Sequence, residues 1–312
     1  MTKVEATLFY TSFIGGLLSL FGTTIVIAAA LYIEPTSNTR TNLVFCMMTV
    51  QWLRAFMVVS GSIIELNQDL EDFSPGAGCT LNGFFIEQTL IAGDITNLYI
   101  GIFTWVAFAC ANKFERFYNY LEGHFTFLFM FPWVFSSIIA IIAGISPGYV
   151  PLGSNWCFIA KTDKNLWRWI YAWSPRIIIS IIMVILYGHI LFIVLKSRQV
   201  LQETSLKDQE ESQKLNKAAR KLFLYPIVYV IWRLPGIIGR IKSTPEWDFL
   251  HAFAQNVGLV DALVYGYSED LKSRFFKKWN DDPGATSNVS SPYGSTYNDH
   301  YIESDYFIED KD

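Results

Sequence analysis

The chain has 312 residues, of which 52% are hydrophobic and only 17% are charged, whereas roughly 25% of the residues of a soluble domain are charged. The formal net charge of -4, without a basic cluster interleaved with aromatic residues, argues against nucleic-acid binding. Several apolar runs reach the about 20 residues that a helix needs to cross a bilayer, and they are apolar on all sides. The composition therefore predicts an integral membrane protein and disfavours a soluble all-helical one.

Hydropathy divides the chain into seven predicted transmembrane helices joined by short loops. They span residues 8–33, 41–64, 79–112, 125–145, 167–196, 220–241 and 248–268. The first run is too long for the apolar core of a cleavable signal peptide, so we expect it to remain as a membrane anchor. The expected fold class is an all-α membrane protein, a seven-helix bundle.

Basic residues in the loops orient this bundle, because they are enriched on the cytoplasmic side of a membrane. Most of them flank the spans on the side that carries the C-terminus. The N-terminus is therefore predicted to lie outside and the C-terminus in the cytoplasm.

The same orientation brings two of the four cysteines to the outer side. Cys79 begins the third predicted helix, and Cys157 lies in the loop between the fourth and the fifth. Disulfides persist in that compartment, so we expect these two residues to pair; the alternative is two free thiols, because a sequence does not measure their separation. Cys46 and Cys110 are interpreted as buried small apolar residues.

The segment after the seventh span divides into two parts. Residues 269–279 carry apolar side chains on one helical side with basic residues around them, which is typical of an amphipathic helix in the inner membrane interface. Residues 280–312 are acidic and rich in Ser and Thr. They are predicted to form a disordered cytoplasmic tail that is either a target of phosphorylation or simply solvated. The membrane domain is accordingly 1–279.

Six ionisable residues lie well inside the predicted spans, where a charge costs about 2.5–3.5 kcal/mol near the centre and must face protein or water. They are Arg54, Glu87, Asp94, Arg176, Arg233 and Asp261. Since three are positive and three are negative, mutual pairing that holds the helices in register is one interpretation.

Depth along the helices suggests two functional alternatives. A rise of about 1.5 Å per residue places three of the charges in the outer half of the bundle, where aromatic residues surround them and a small ligand would bind. The candidate ligand-binding residues are Glu87, Arg176, Arg233, Trp232, Trp173 and Phe85. The deeper residues Arg54, Asp94, Asn97 and Asp261 are interpreted as a hydrogen-bonded switch, with static packing or a ligand contact as alternatives.

The motifs of common enzymes are missing from the sequence. The four histidines are scattered without metal-ligand spacing, and there is no Gly-rich phosphate loop or GxSxG elbow. The seventh span contains no lysine for a retinal Schiff base. We predict a protein that is not an enzyme and needs neither a cofactor nor a metal.

Several stretches resemble one group of receptors. The topology and the two outer cysteines resemble those of G-protein-coupled receptors, although the acid-Arg-Tyr and Asn-Pro signatures of the rhodopsin-like class are missing. Four stretches resemble the fungal carbon-sensing (glucose) receptors and the related slime-mould cyclic-AMP receptors. They are "CTLNGFFIEQTLIAGDITNLYIGIFT" (79–104), "WRWIYAWSPRIIISIIMVILYGHI" (167–190), "LFLYPIVYVIWRLP" (222–235) and "NVGLVDALVYGYSEDLKS" (256–273).

This resemblance implies a multi-pass plasma-membrane receptor. It would sense an extracellular small molecule, either a nutrient such as a sugar or amino acid or a cyclic nucleotide, and activate a heterotrimeric G protein upstream of cyclic-AMP signalling. A seven-helix transporter of a small solute is the alternative. Contact with membrane lipids is expected, and the sequence leaves the oligomeric state open, a homodimer included.

The sixth predicted span supplies a mechanism for such a receptor. Pro226 removes a backbone hydrogen bond and kinks that helix. The basic residues below it and at the end of the third span are candidates for contact with a G protein, or are ordinary membrane anchors. They are Lys113, Arg116, Arg220 and Lys221.

Overall fold

The computed structural model describes residues 3–33, 39–67, 76–109, 124–151, 157–160, 166–201, 228, 231–232 and 256–268. Its first four helices are α1 (Lys3–Ile33), α2 (Thr39–Asn67), α3 (Ala77–Ala109) and α4 (Phe125–Ile145). Helix α5 begins with Leu166–Arg168, continues through a π-helical segment, Trp169–Trp173, and ends with Ser174–Leu201. Helix α6 spans Val257–Ser268, within the seventh predicted span.

Five of these helices are long and apolar enough to cross a membrane. The candidate spans are Ala6–Tyr32, Asn42–Ile64, Ala77–Val106, Phe127–Ile145 and Leu166–Ile193, and they coincide with the first five spans predicted from hydropathy. The apolar part of α6, Val257–Gly266, is shorter. Most of the sixth predicted span, the amphipathic segment and the tail lie outside the described residues.

Helix α3 is the central element of the described bundle. It packs against α2, α4 and α5, while α1 packs against α2 and α6. Every residue of α3 from Ile86 to Asn97 is buried, because protein surrounds this stretch on all sides. Helix α4 differs: apolar side chains such as Ile138, Ile141 and Ile145 are exposed on it, as expected for a helix whose outer face contacts lipid.

Small residues bring α1 and α6 close together. A Cβ added at Gly258 of α6 would lie 3.0 Å from the Cβ of Ser19, and one added at Gly22 of α1 would lie 2.9 Å from a methyl carbon of Leu259. The backbone N–H of Leu259 donates to the Ser19 hydroxyl at 3.3 Å. Small residues at a helix contact allow this close approach in a bilayer, where dispersion and interhelical hydrogen bonds drive association.

A β-hairpin lies between α4 and α5 and departs from the all-α prediction. Strand β1 (Tyr149–Pro151) pairs antiparallel with β2 (Cys157–Ile159), with Val150 opposite Phe158. Gly148, just before β1, has φ of 90°, a left-handed conformation that glycine adopts without a steric penalty. Strands of three residues are too short to produce the alternating pattern by which a strand is recognised in a sequence.

Candidate functional site

One face of α3 carries most of the residues that the sequence singled out. Spacings of three and four residues place Gly83, Glu87, Leu90, Asp94 and Asn97 on the same side of the helix, and all five are buried. We call these five residues the α3 seam. It runs from the hairpin to the middle of the bundle.

Tyr149 of the hairpin fills the outer end of the α3 seam. A Cβ added at Gly83 would lie 2.6 Å from the Tyr149 ring, and one added at Gly144 of α4 would lie 3.1 Å from it. The Tyr149 hydroxyl donates to the carbonyl of Ala140 at 2.8 Å. The two glycines therefore provide the space in which this ring joins α3 to α4.

Glu87 lies one turn deeper and is fully buried. Burial chiefly, and then the negative charge of Glu87, raise the pKa of Tyr149 above its ordinary value. The phenol therefore stays neutral at physiological pH.

The hairpin is fastened to the helices around it. Cys79 and Cys157 form the predicted disulfide. The amide of Asn82 accepts from the Cys157 N–H at 3.0 Å and donates to the Met57 carbonyl of α2 at 2.9 Å. These contacts hold the hairpin on α3 and on its neighbour α2.

Helix α5 adds a second attachment. Nε of Arg168 donates to the Ile159 carbonyl at 2.7 Å, and the guanidinium lies 5.8 Å from the centre of the Phe158 ring, within cation–π range. Phe158 and Ile159 are fully buried. Sequence reasoning missed Arg168 and Asn82, because one lies near a span terminus and the other is uncharged.

The deeper part of the α3 seam contains an interhelical ion pair. Nε of Arg176 on α5 lies 3.2 Å from Oδ2 of Asp94, and both side chains are buried. The sequence had assigned Arg176 to the outer ligand contacts and Asp94 to the deeper switch. The structure joins them in one contact between α3 and α5.

A second polar contact connects α2 with α6. Nε2 of Gln51 donates to Oδ2 of Asp261 at 2.9 Å, and Gln51 is buried. Arg54 lies three residues after Gln51 and is buried as well. Asn97 donates to the Gly93 carbonyl of its own helix at 3.0 Å. Gln51 was missed because it is uncharged, and Asn97 was the one uncharged polar candidate in the predicted spans.

The predicted aromatic ligand contacts differ in position. Trp173 is buried in the same apolar cluster as Ile86 and Leu90 of α3. Phe85 is half-buried and contacts Phe84 edge-on, with ring centres 5.2 Å apart. Because Phe85 is only two residues from Glu87, it lies on another side of α3. Trp232 is half-buried.

A π-helical turn precedes Arg176. The N–H of Ser174 donates to the carbonyl of Trp169, five residues earlier, instead of the usual four. Pro175 follows, and a proline ring clashes with the carbonyl four residues before it in a regular helix. The widened turn accommodates that ring, and single π turns of this kind are frequent at functional sites.

At the other end of α3, Gly101 continues the spacing of the α3 seam. A Cβ added there would lie 2.6 Å from the sulfur of Met183 and 3.4 Å from the Tyr187 ring. Both partners belong to α5. The close approach of α5 to α3 therefore extends well below the ion pair.

Six of the predicted site residues lie outside the described part of the chain. They are Arg233, Pro226, Lys113, Arg116, Arg220 and Lys221. Their proposed roles stay predictions. Within the described ranges, no group of three or more His, Cys, Asp or Glu side chains is arranged to hold a metal ion.

Comparison with known proteins identifies the family. Residues 5–201 match the family model described as "Git3: G protein-coupled glucose receptor regulating Gpa2". A curated relative, the "Ascaroside receptor GPR2" of Arthrobotrys oligospora, is 29% identical over 121 residues, which are 39% of this chain and 28% of the relative's length. The family match covers more than half of the 312 residues. The chain therefore belongs to the Git3 family of G-protein-coupled receptors.

Proposed function

We propose that this protein is a plasma-membrane receptor that binds an extracellular small molecule and activates a heterotrimeric G protein upstream of cyclic AMP. The observation that carries the proposal is the buried Asp94–Arg176 pair, which links α3 to α5 beneath the outer hairpin. Charged groups inside a bilayer are costly and mark functional sites by default. The family match supports the assignment to receptors.

The pair suits a receptor because a buried polar contact between two helices can be formed or broken, which gives the helices two alternative arrangements. A ligand shifts such an equilibrium only by its difference in affinity for the two states. A ligand group that reaches Arg176 or Asp94 has that difference, because it competes with the other member of the pair. The Gln51–Asp261 contact extends the polar layer to α2 and α6.

The first ligands to test come from the comparisons. The family description names glucose, and the name of the relative refers to an ascaroside. The intracellular partner to test is a G protein with a Gα subunit of the kind that the family description names, Gpa2. The inner basic residues and the Pro226 kink are the proposed coupling elements.

The test is nucleotide exchange on the purified heterotrimeric G protein with the full-length receptor in lipid nanodiscs. Glucose or an ascaroside should accelerate exchange in the wild type. Arg176→Gln should shift the dose response, because the α3–α5 contact is lost. Uptake of the same compound into receptor vesicles, without any effect on exchange, would instead identify a transporter.

Neutralising Lys113, Arg116, Arg220 and Lys221 together tests the coupling surface separately. We expect ligand binding to persist and nucleotide exchange to fall. Unchanged exchange would remove these residues from the coupling surface while leaving the receptor assignment intact.

A further inference from the structure

Besides Nε of Arg176, which lies 3.2 Å from Asp94, two buried N–H donors on α5 have no hydrogen-bond partner among the described residues. They are Nε1 of Trp173 and Nη2 of Arg176. Trp173 is only 2% exposed and the Arg176 side chain 9%. A buried donor without an acceptor carries a free-energy penalty, and native proteins contain few of them. Two such donors within one turn of a helix therefore need an explanation.

The side chains of Trp173 and Arg176 both pack toward α3. Arg176 follows Trp173 by three residues, so the two side chains leave the same side of α5. Trp173 lies in the cluster that contains Leu90, and Arg176 pairs with Asp94. Leu90 and Asp94 are neighbours on the α3 seam. The two side chains therefore lie in one layer between α3 and α5.

Asp94 forms an ion pair with Arg176 through one nitrogen of the guanidinium. Its Oδ2 lies against Nε, at 3.2 Å, while Nη2 has no acceptor in the described residues. A guanidinium has several N–H donors in a fixed plane, so contact at Nε fixes the direction of the others. Asp94 therefore both balances the charge of Arg176 and holds its remaining donor in place.

The charges of this layer disfavour an anion. Glu87 lies on the α3 seam two turns from Asp94, and it is fully buried. An anionic group entering here would meet two carboxyl groups and one guanidinium that is already paired. An uncharged oxygen acceptor avoids this repulsion and still supplies what the two N–H donors need.

We propose that Trp173 Nε1 and Arg176 Nη2 form a ligand subsite that binds an uncharged oxygen acceptor, either a hydroxyl, an ether or a carbonyl oxygen. Glu87 excludes anions from this subsite, and Asp94 is the residue that positions the guanidinium. The proposal rests on the receptor function above, since it names the chemistry of that receptor's ligand.

The test measures binding of two matched probes to the full-length receptor in nanodiscs. Glucose is uncharged, and glucuronate carries one carboxylate on the same ring skeleton. The wild type should bind glucose more tightly than glucuronate. Trp173→Phe, which keeps the ring but removes the N–H, and Arg176→Lys should each weaken glucose binding roughly tenfold, the effect of one hydrogen bond of about 1.4 kcal/mol.

Two further variants separate the subsite from general structural damage. Trp167→Phe is the control, because Trp167 stacks on Tyr171 and a phenylalanine keeps that contact; its affinity for glucose should be unchanged. Asp94→Asn should improve glucuronate binding relative to glucose, since Arg176 then carries an unbalanced positive charge. A merely structural role for Asp94 would not change this preference.

Three results would overturn the subsite: wild-type affinity for glucose that survives both Trp173→Phe and Arg176→Lys, a wild-type preference for glucuronate, or no binding of glucose by the wild type. Nucleotide exchange is measured on the same samples. A wild type without ligand-stimulated exchange contradicts the receptor proposal, whereas unchanged binding in the variants with intact exchange overturns the subsite alone. Thermal unfolding without probe checks that Arg176→Lys is folded, and Trp173→Phe gives an independent answer.

Discussion

The ring of Tyr149 rests directly on Gly83 of α3, so that a Cβ at position 83 would stand 2.6 Å from two of its ring carbons. This contact joins the outer hairpin to the helix that carries Glu87 and Asp94. Gly144 of α4 limits the ring on its other side. The position of the hairpin over the α3 seam therefore depends on a residue without a side chain.

Gly83→Ala should destabilise the receptor, because Tyr149 has no free space into which to move. Overpacking of this kind costs about 1–3 kcal/mol, which should appear as a lower thermal midpoint of the purified protein in detergent. Gly78→Ala is the control, since a Cβ there meets nothing within 4 Å. Equal thermal midpoints for the two variants would contradict the tight contact between the Tyr149 ring and Gly83.

Tyr149→Phe should change how the free energy of unfolding depends on pH in the alkaline range. The pKa of Tyr149 is raised above its ordinary value of 10.0 by burial and by Glu87. The unfolded chain therefore loses this proton at a lower pH than the folded one, and folding loses free energy as the pH rises above about 10. In the phenylalanine variant this part of the decline should be missing.

The measurement is the thermal midpoint of both proteins from pH 8 to pH 11. At the lower end, Tyr149→Phe should already be less stable by about 1 kcal/mol, because the hydrogen bond to Ala140 is lost. The difference in thermal midpoint between the wild type and Tyr149→Phe should become smaller as the pH increases. A constant gap would show that Tyr149 does not contribute to the alkaline decline.

Gln51→Met should weaken the contact between α2 and α6. Methionine keeps the approximate shape but removes the amide that donates to Asp261, and a hydrogen bond to a carboxylate contributes about 1.5–3 kcal/mol. Thr49→Val is the control, because the Thr49 hydroxyl donates within its own helix, to Phe45. A double-mutant cycle with Asp261→Asn isolates the pair, and a coupling energy near zero would refute the contact.

Gly258→Val should separate α6 from α1. A Cβ at Gly258 would already lie 3.0 Å from Ser19, and the two γ-methyl groups of valine need further space. We expect a loss of about 1–3 kcal/mol, read from thermal unfolding. Gly266→Val makes the same change in helix propensity, but a Cβ there meets nothing within 4 Å in the described part of the chain. This control variant should therefore lose little stability. Similar losses in the two variants would argue against close packing of α6 on α1.

Hydropathy predicted the first five spans correctly, and the predicted pairing of two cysteines is confirmed as well. The first five spans follow from runs of apolar residues as long as a bilayer is thick, and the Cys79–Cys157 disulfide follows from placing both residues on the outer side. These predictions succeed because the bilayer imposes length and composition on each helix separately. No knowledge of how the helices pack is needed.

Features that depend on packing were not visible in the sequence. Assigning Arg176 and Asp94 to different depths assumed that a charge acts at the level of its own backbone, which fails for a side chain as long as arginine. Gln51 is uncharged, so nothing marks it until Asp261 lies beside it. The hairpin consists of two three-residue strands, and the pairing between them, which distinguishes it from a loop, leaves no pattern in so short a sequence.

The glycines at the two ends of α3 restrict the movements open to this helix. Tyr149 occupies the notch at Gly83 and Met183 the notch at Gly101, about 27 Å apart at a rise of about 1.5 Å per residue. A piston-like shift of α3 would drive neighbouring side chains into both occupants at once. A tilt of α3 together with the hairpin and α5 leaves both notches filled. Movement transmitted inward through α3 is therefore expected to be a rigid-body tilt of this three-part unit.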